Sequence, residues 1–132
     1  MINILTKYAD LPARAAMSAV FVLSGISKIS AFEGTQGYME AFGIPGVLLG
    51  PTIAFEIIAG LFILIGFNTR YVAFILAGFT FVTALVFHRD FADQVQQIMF
   101  LKNVAIAGGL LLLAKTGAPQ LSVKAPSRLK SA

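Results

Sequence analysis

Tyr71-Val-Ala-Phe-Ile-Leu-Ala-Gly-Phe-Thr-Phe-Val-Thr-Ala-Leu-Val-Phe87 contains no charged residue and is apolar nearly all round. A helix of a soluble bundle keeps a polar face for water, and this segment has none to offer. At 1.5 Å per residue it is close to the length that crosses a hydrocarbon core, for which about 17–25 residues are used. The rest of a 132-residue chain is too small to bury such a helix and three more like it. Lipid is the solvent that this surface requires.

Three further stretches repeat the pattern with isolated charges. The first runs from about Pro12 to Lys28 with Arg14 inside it, and the second from Gly46 to Gly66 with Glu56. The segment 71–87 is the third, and the fourth spans about Gln97 to Ala114 with Lys102. The composition agrees: 58% of residues are hydrophobic and 12% charged, whereas a soluble domain carries about 25% charged residues. The fold class expected is all-α, an integral membrane four-helix antiparallel bundle occupying residues 1–116. The N-terminal apolar run leads into the bundle without an A-x-A-type cleavage site, so it reads as a span and not a removed signal. Residues 117–132, with Pro119, Pro126 and alternating Lys and Ser, read as a flexible cytoplasmic tail.

Charge sets the expected topology. Four spans put both termini on one side. That side carries Lys7, Arg14, Arg70, Lys115, Lys124, Arg128 and Lys130, and the other carries Lys28, Arg89 and Lys102. Positive charge stays cytoplasmic, so both termini are expected inside the cell. The connection 29–45 interleaves Phe32, Tyr38, Met39, Phe42 and Ile44 with Glu33, Gln36 and Glu40, the pattern of an amphipathic piece lying at the interface. Gly43-Ile44-Pro45-Gly46 then breaks the chain. The turn Gly66-Phe67-Asn68-Thr69-Arg70 is tight, which makes spans two and three antiparallel neighbours.

The net charge of +4 sits beside apolar segments and in the tail. That placement suits anionic lipid headgroups, and without a basic-aromatic stripe nucleic acid is not an expected partner. The chain has no cysteine and one histidine, which excludes thiol chemistry and leaves no metal-ligand set. No phosphate loop, dinucleotide fingerprint or nucleophile elbow is present, and no loop is long enough for a soluble catalytic domain. An autonomous enzyme is not expected.

Chemistry is therefore sought among the polar residues of the spans. Glu56 lies about ten residues into span two, roughly 15 Å deep. A charge at that depth costs ~2.5–3.5 kcal/mol on insertion scales, so Glu56 must face the bundle and find a partner, or be protonated. Lys28, Lys102 and His88 are the candidate partners, with Asn103 beside them. Lys28 ends span one, where its stem suits snorkelling to the headgroups. Lys102 is deeper in span four, so it is the partner expected for Glu56. His88 reads as an anchor at the membrane boundary. Arg14 and Arg70 are lipid-anchor candidates on the terminal side. Gly46 with Gly50, or Gly108 with Gly109, would permit close helix contacts, the alternative for Gly46 and Gly50 being that they belong to the turn.

The order Arg14, Gly25-Ile26-Ser27-Lys28, Gly43-Ile44-Pro45, then Glu56 with Gly60, resembles the DoxX family of small bacterial membrane proteins. The resemblance continues through Gly66-Phe67-Asn68-Thr69-Arg70, His88, Phe100-Leu101-Lys102-Asn103 and Gly108-Gly109, so it covers Arg14 to about Gly117. It implies four helices with both termini inside. The family name comes from a subunit of an archaeal thiosulfate:quinone oxidoreductase, and other members look like partners of redox or oxidative-stress complexes. The function implied is an accessory or organising subunit of a membrane redox assembly, with a quinone- or lipid-sized cleft between helices. Quinone is the cofactor so implied, and redox-complex subunits the partners. Two other readings stand beside it: a small proton-coupled carrier working as a homo-oligomer around Glu56, and a structural interaction module without a ligand.

Overall fold

A computed structural model describes residues 2–119 of the chain. Among these residues the elements are all helical: α1 (Ile2–Lys7), α2 (Asp10–Ser30), α3 (Phe32–Ala41), a 3-10 turn (Gly46–Leu48), α4 (Leu49–Ile65), α5 (Thr69–Phe87) and α6 (Gln94–Thr116). Four helical stretches are long and apolar enough to cross a membrane: 2–30, 46–65, 69–87 and 94–116. The all-α, four-span expectation holds: the first and fourth spans extend beyond their apolar runs at both ends, the third begins two residues earlier, at Thr69, and the second ends one residue short of Gly66.

The helix ends follow from local chemistry. Pro12 falls in the first turn of α2, where a missing N–H costs nothing, and Asp10 beside it suits the positive end of the helix dipole. Gly66 ends α4 in the left-handed region at φ 77°, and Asn68 follows at φ 48°. The amides of Gly66 and Phe67 return to the carbonyls of Ile63 and Phe62, closing the last turn. Asp93 caps α6, its Oδ1 accepting from the Val95 amide at 2.9 Å.

The connection 29–45 contains α3, as its alternating apolar and acidic residues predict. Met39 turns inward onto Leu49 and Ile53, while Glu33 and Glu40 stay exposed. Tyr38, Phe42 and Phe87 form a ring cluster with centroids 4.9–5.5 Å apart that ties α3 to the end of α5. Gln36 Nε2 donates to the Gly46 carbonyl at 3.0 Å and fixes the chain reversal.

Packing is uneven. α2 lies closely along α4, and α5 along α6, while α4 meets α5 lightly and α2 meets α6 more lightly still. Spans two and three are joined by a tight turn yet are not the closest neighbours. The reason is size. A Cβ placed on Gly25 would lie 2.6 Å from Ile57 Cγ1, and one on Gly60 would lie 2.9 Å from Val22 Cγ2 and 3.3 Å from the Ser18 carbonyl oxygen. These two glycines let the α2 and α4 backbones approach. Gly50 and Gly108 have nothing within 4 Å, Gly109 meets only the mobile end of Met17, and Gly46 meets the side chains of Gln36 and Glu40. The close-contact glycines are thus Gly25 and Gly60, not either pair expected from spacing. Between α4 and α5 the contact is made by bulky rings, Phe55 against Phe79 at 5.1 Å.

The main core fills the half of the bundle nearer the termini, with Ile63, Ala73, Leu76, Leu110 and Leu113 at its centre. Toward the α3 end the two helix pairs part, and a cavity of about 470 Å³ opens between them. Of the expected tail, residues 120–132 lie outside the described residues. Its first residue, Gly117, is buried against the Arg70 side chain.

Candidate functional site

Glu56 is carried on α4 at mid-span, only 3% exposed, on the face that turns toward α2. Its Oε1 accepts from Lys28 Nζ at 2.7 Å, and the same ammonium donates to Ser24 Oγ one helical turn back, also at 2.7 Å. The Lys28 side chain keeps 27% exposure. Glu56 Oε2 is covered and finds no hydrogen-bond partner among the described residues.

The expected partner was Lys102, and the structure corrects this. Lys102 is exposed and does not line the cavity. On α6 the inward face is set by Asn103, Ile106, Ala107 and Leu110, so residue 102 points about a quarter turn away, toward lipid. Lys28 sits at the α3 end of α2 by sequence, but its long stem runs back down the helix to Glu56. Snorkelling toward headgroups is reversed here because a buried carboxylate attracts the ammonium more strongly than the interface does.

The Lys28–Glu56 pair forms part of the cavity wall. Asn103 from α6 and His88 from the end of α5 also line it, so of the polar residues expected to converge only Lys102 is left out. His88 Nδ1 lies 2.9 Å from Gln96 Oε1, an arrangement in which the ring nitrogen donates and the amide oxygen accepts. The remaining wall is mostly apolar, with Phe21, Phe79, Val86 and Ile106 prominent and the hydroxyls of Thr80 and Thr83 among them. Both threonine hydroxyls donate to carbonyls of α5 itself, Leu76 and Thr80 respectively, so they present little unused polarity.

Arg14 also departs from expectation. As a lipid anchor it would reach outward, yet it is 2% exposed. Its Nε stands 3.4 Å from Asp10 Oδ2, and its guanidinium donates to the Leu64 carbonyl at 3.4 Å. It thus brings positive charge to the C-terminal end of α4, where the helix dipole and free carbonyls favour it. Arg70 is exposed at the same end of the bundle, a position open to headgroups.

Sequence reasoning missed Ser24 and Asp10. Both stand four residues before the basic residue they contact, the spacing that puts two side chains on one helix face, so the signal was there. Among the described residues no three His, Asp or Glu side chains converge as a metal site would require.

Comparison with known proteins places the chain. The DoxX family model matches residues 9–89, which takes in α2 through α5 and the whole Lys28–Glu56 pair. Inner membrane protein YqjF of Escherichia coli K12 is 49% identical over 113 residues, covering 86% of this chain and 87% of that protein. Inner membrane protein YphA of the same organism is 38% identical, with 86% of each chain covered. No solved structure matches. A family match over more than half the chain shows that this protein belongs to the DoxX family.

Proposed function

We propose that this protein is an accessory subunit of a membrane redox assembly in the bacterial inner membrane, and that its cavity holds a quinone-sized or lipid-sized apolar molecule. The observation that supports this reading is a cavity of about 470 Å³ with the buried Lys28–Glu56 pair in its wall. Ligand sites are concave, largely apolar and supplied with a few placed polar groups, and about 300–1,000 Å³ is their usual size. The redox setting comes from the family resemblance, and the inner membrane from the two relatives. A carrier fits less well: the cavity lining lies in the α3-side half, and packed core fills the half below it.

A thermal-stability titration tests the site. A ligand that binds the folded state stabilises it by RT ln(1 + [L]/Kd), or ~2.7 kcal/mol at a hundredfold excess over Kd. A short-chain quinone, or a single-chain lipid, is expected to raise the unfolding midpoint of the detergent-solubilised protein. Thr83→Phe, which puts a ring into the cavity from α5, is expected to abolish that response. A midpoint unmoved by either compound sinks the ligand reading.

The orientation proposed has both termini in the cytoplasm. The chain has no cysteine, so single cysteines report without background. Gln94→Cys, at the exposed start of α6, is expected to react with a membrane-impermeant maleimide from the periplasmic side. Ser131→Cys is expected to react only after the membrane is opened. The reverse pattern overturns the topology.

A further inference from the structure

Lys28 holds a hydrogen-bonding capacity that its own chain leaves unused. An ammonium carries three donors. One goes to Glu56 Oε1 and one to Ser24 Oγ, and the third meets no acceptor among the described residues. With 27% of its side chain exposed against 3% for Glu56, Lys28 is the member of the pair that an occupant of the cavity can reach.

Charge then narrows the occupant. Glu56 already neutralises Lys28 at 2.7 Å. A carboxylate or phosphate entering the cavity would place a second negative charge close to Glu56, where low dielectric magnifies the repulsion. A cation would meet Lys28. A plain hydrocarbon would fill the walls but leave the third N–H without an acceptor, at a desolvation cost. What satisfies both the third N–H and the walls is a neutral oxygen acceptor on an apolar body.

The rim indicates where such a molecule comes from. Val20, Leu48, Val82 and Met99 line the cavity and are exposed as well, and they stand on α2, at the α4 entry, on α5 and on α6. Apolar side chains around an opening between membrane helices admit molecules dissolved in lipid. We propose that Lys28 recognises, through its third N–H, the carbonyl-type oxygen of an uncharged apolar molecule drawn from the bilayer. This rests on the cavity being a ligand site.

Three naphthalenes of similar size test it: 2-acetylnaphthalene, 2-ethylnaphthalene and 2-naphthoate. The chain has no tryptophan, so naphthalene fluorescence is read without indole overlap. Binding is measured to the full chain in lipid nanodiscs, with empty nanodiscs subtracting partition into lipid. The ketone is expected to bind at least about tenfold more tightly than the other two, the scale of one added hydrogen bond. In the paired variant Lys28→Met with Glu56→Gln, which removes both charges at similar volume, the advantage of the ketone over the hydrocarbon is expected to vanish. Equal binding of ketone and hydrocarbon to the wild-type protein overturns the inference and leaves the cavity reading standing. Tightest binding by naphthoate overturns it also, because the pair is then not neutral toward its occupant. Binding by none of the three removes the ligand-site reading and the inference with it. Should the paired variant not fold, as judged by helicity and monodispersity, the wild-type series decides.

Discussion

Lys28→Met is expected to destabilise the protein by ~3–5 kcal/mol, because it strands a carboxylate that is 3% exposed in the middle of the bundle. Glu56→Leu is expected to cost less. The lysine it releases is already partly exposed, and its flexible stem lets it turn toward the α3 end and reach the headgroups. The two substitutions together, which leave neither charge behind, are expected to cost less than the sum of the singles. Replacing a buried ion pair by apolar groups of similar volume is often near neutral. Unfolding free energies of the four proteins in one detergent, arranged as a double-mutant cycle, measure the coupling directly. Simple additivity would show that the pair contributes nothing specific. Glu56→Leu proving worse than Lys28→Met would show that the lysine, not the carboxylate, is the group that cannot reach another solvent. Lys102→Met is the control and is expected to be neutral, since that side chain is exposed on α6.

The second large effect is expected at the contact of α2 with α4. Gly60→Leu forces a branched side chain into a space where even a Cβ would meet Val22 Cγ2 at 2.9 Å, with Phe21 Cβ and the Ser18 carbonyl oxygen both at 3.3 Å. Side chains can shift by tenths of an ångström, but the Ser18 carbonyl belongs to the α2 backbone, so relief requires the helices to separate. Overpacking of this kind costs ~1–3 kcal/mol and at times more. Separation also displaces Lys28 from Glu56, because the pair bridges the same two helices, so the loss is expected at or above the top of that range. Gly108→Leu serves as the comparison. That position is exposed with nothing within 4 Å, and replacing a helical glycine there gains up to ~1 kcal/mol of helix propensity. Thermal midpoints that fall equally in both variants would refute the claim that Gly60 sets the helix spacing.

What the amino-acid sequence determined by itself follows from the solvent. In lipid each span must satisfy its own backbone hydrogen bonds, so an apolar run of sufficient length is a helix whatever surrounds it. Residues 71–87 settle the fold class on that ground, and Gly66, Asn68 and Asp93 mark helix ends through local backbone and capping preferences that need no distant partner. The depth of Glu56 is legible for the same reason, since rise per residue is constant along a helix. Rotation about the helix axis is not legible in this way. The lipid-facing and bundle-facing sides of these spans are both apolar, so no polar stripe records which side turns inward. Only the packed structure shows that Lys28, and not Lys102, lies on the inward side next to Glu56, and that Arg14 turns inward to Asp10 and the end of α4. It alone identifies Gly25 and Gly60 as the contact glycines, because close approach depends on what stands opposite each residue. The cavity is likewise a product of tertiary structure: it is the space left where two closely packed helix pairs diverge, and no single segment encodes it.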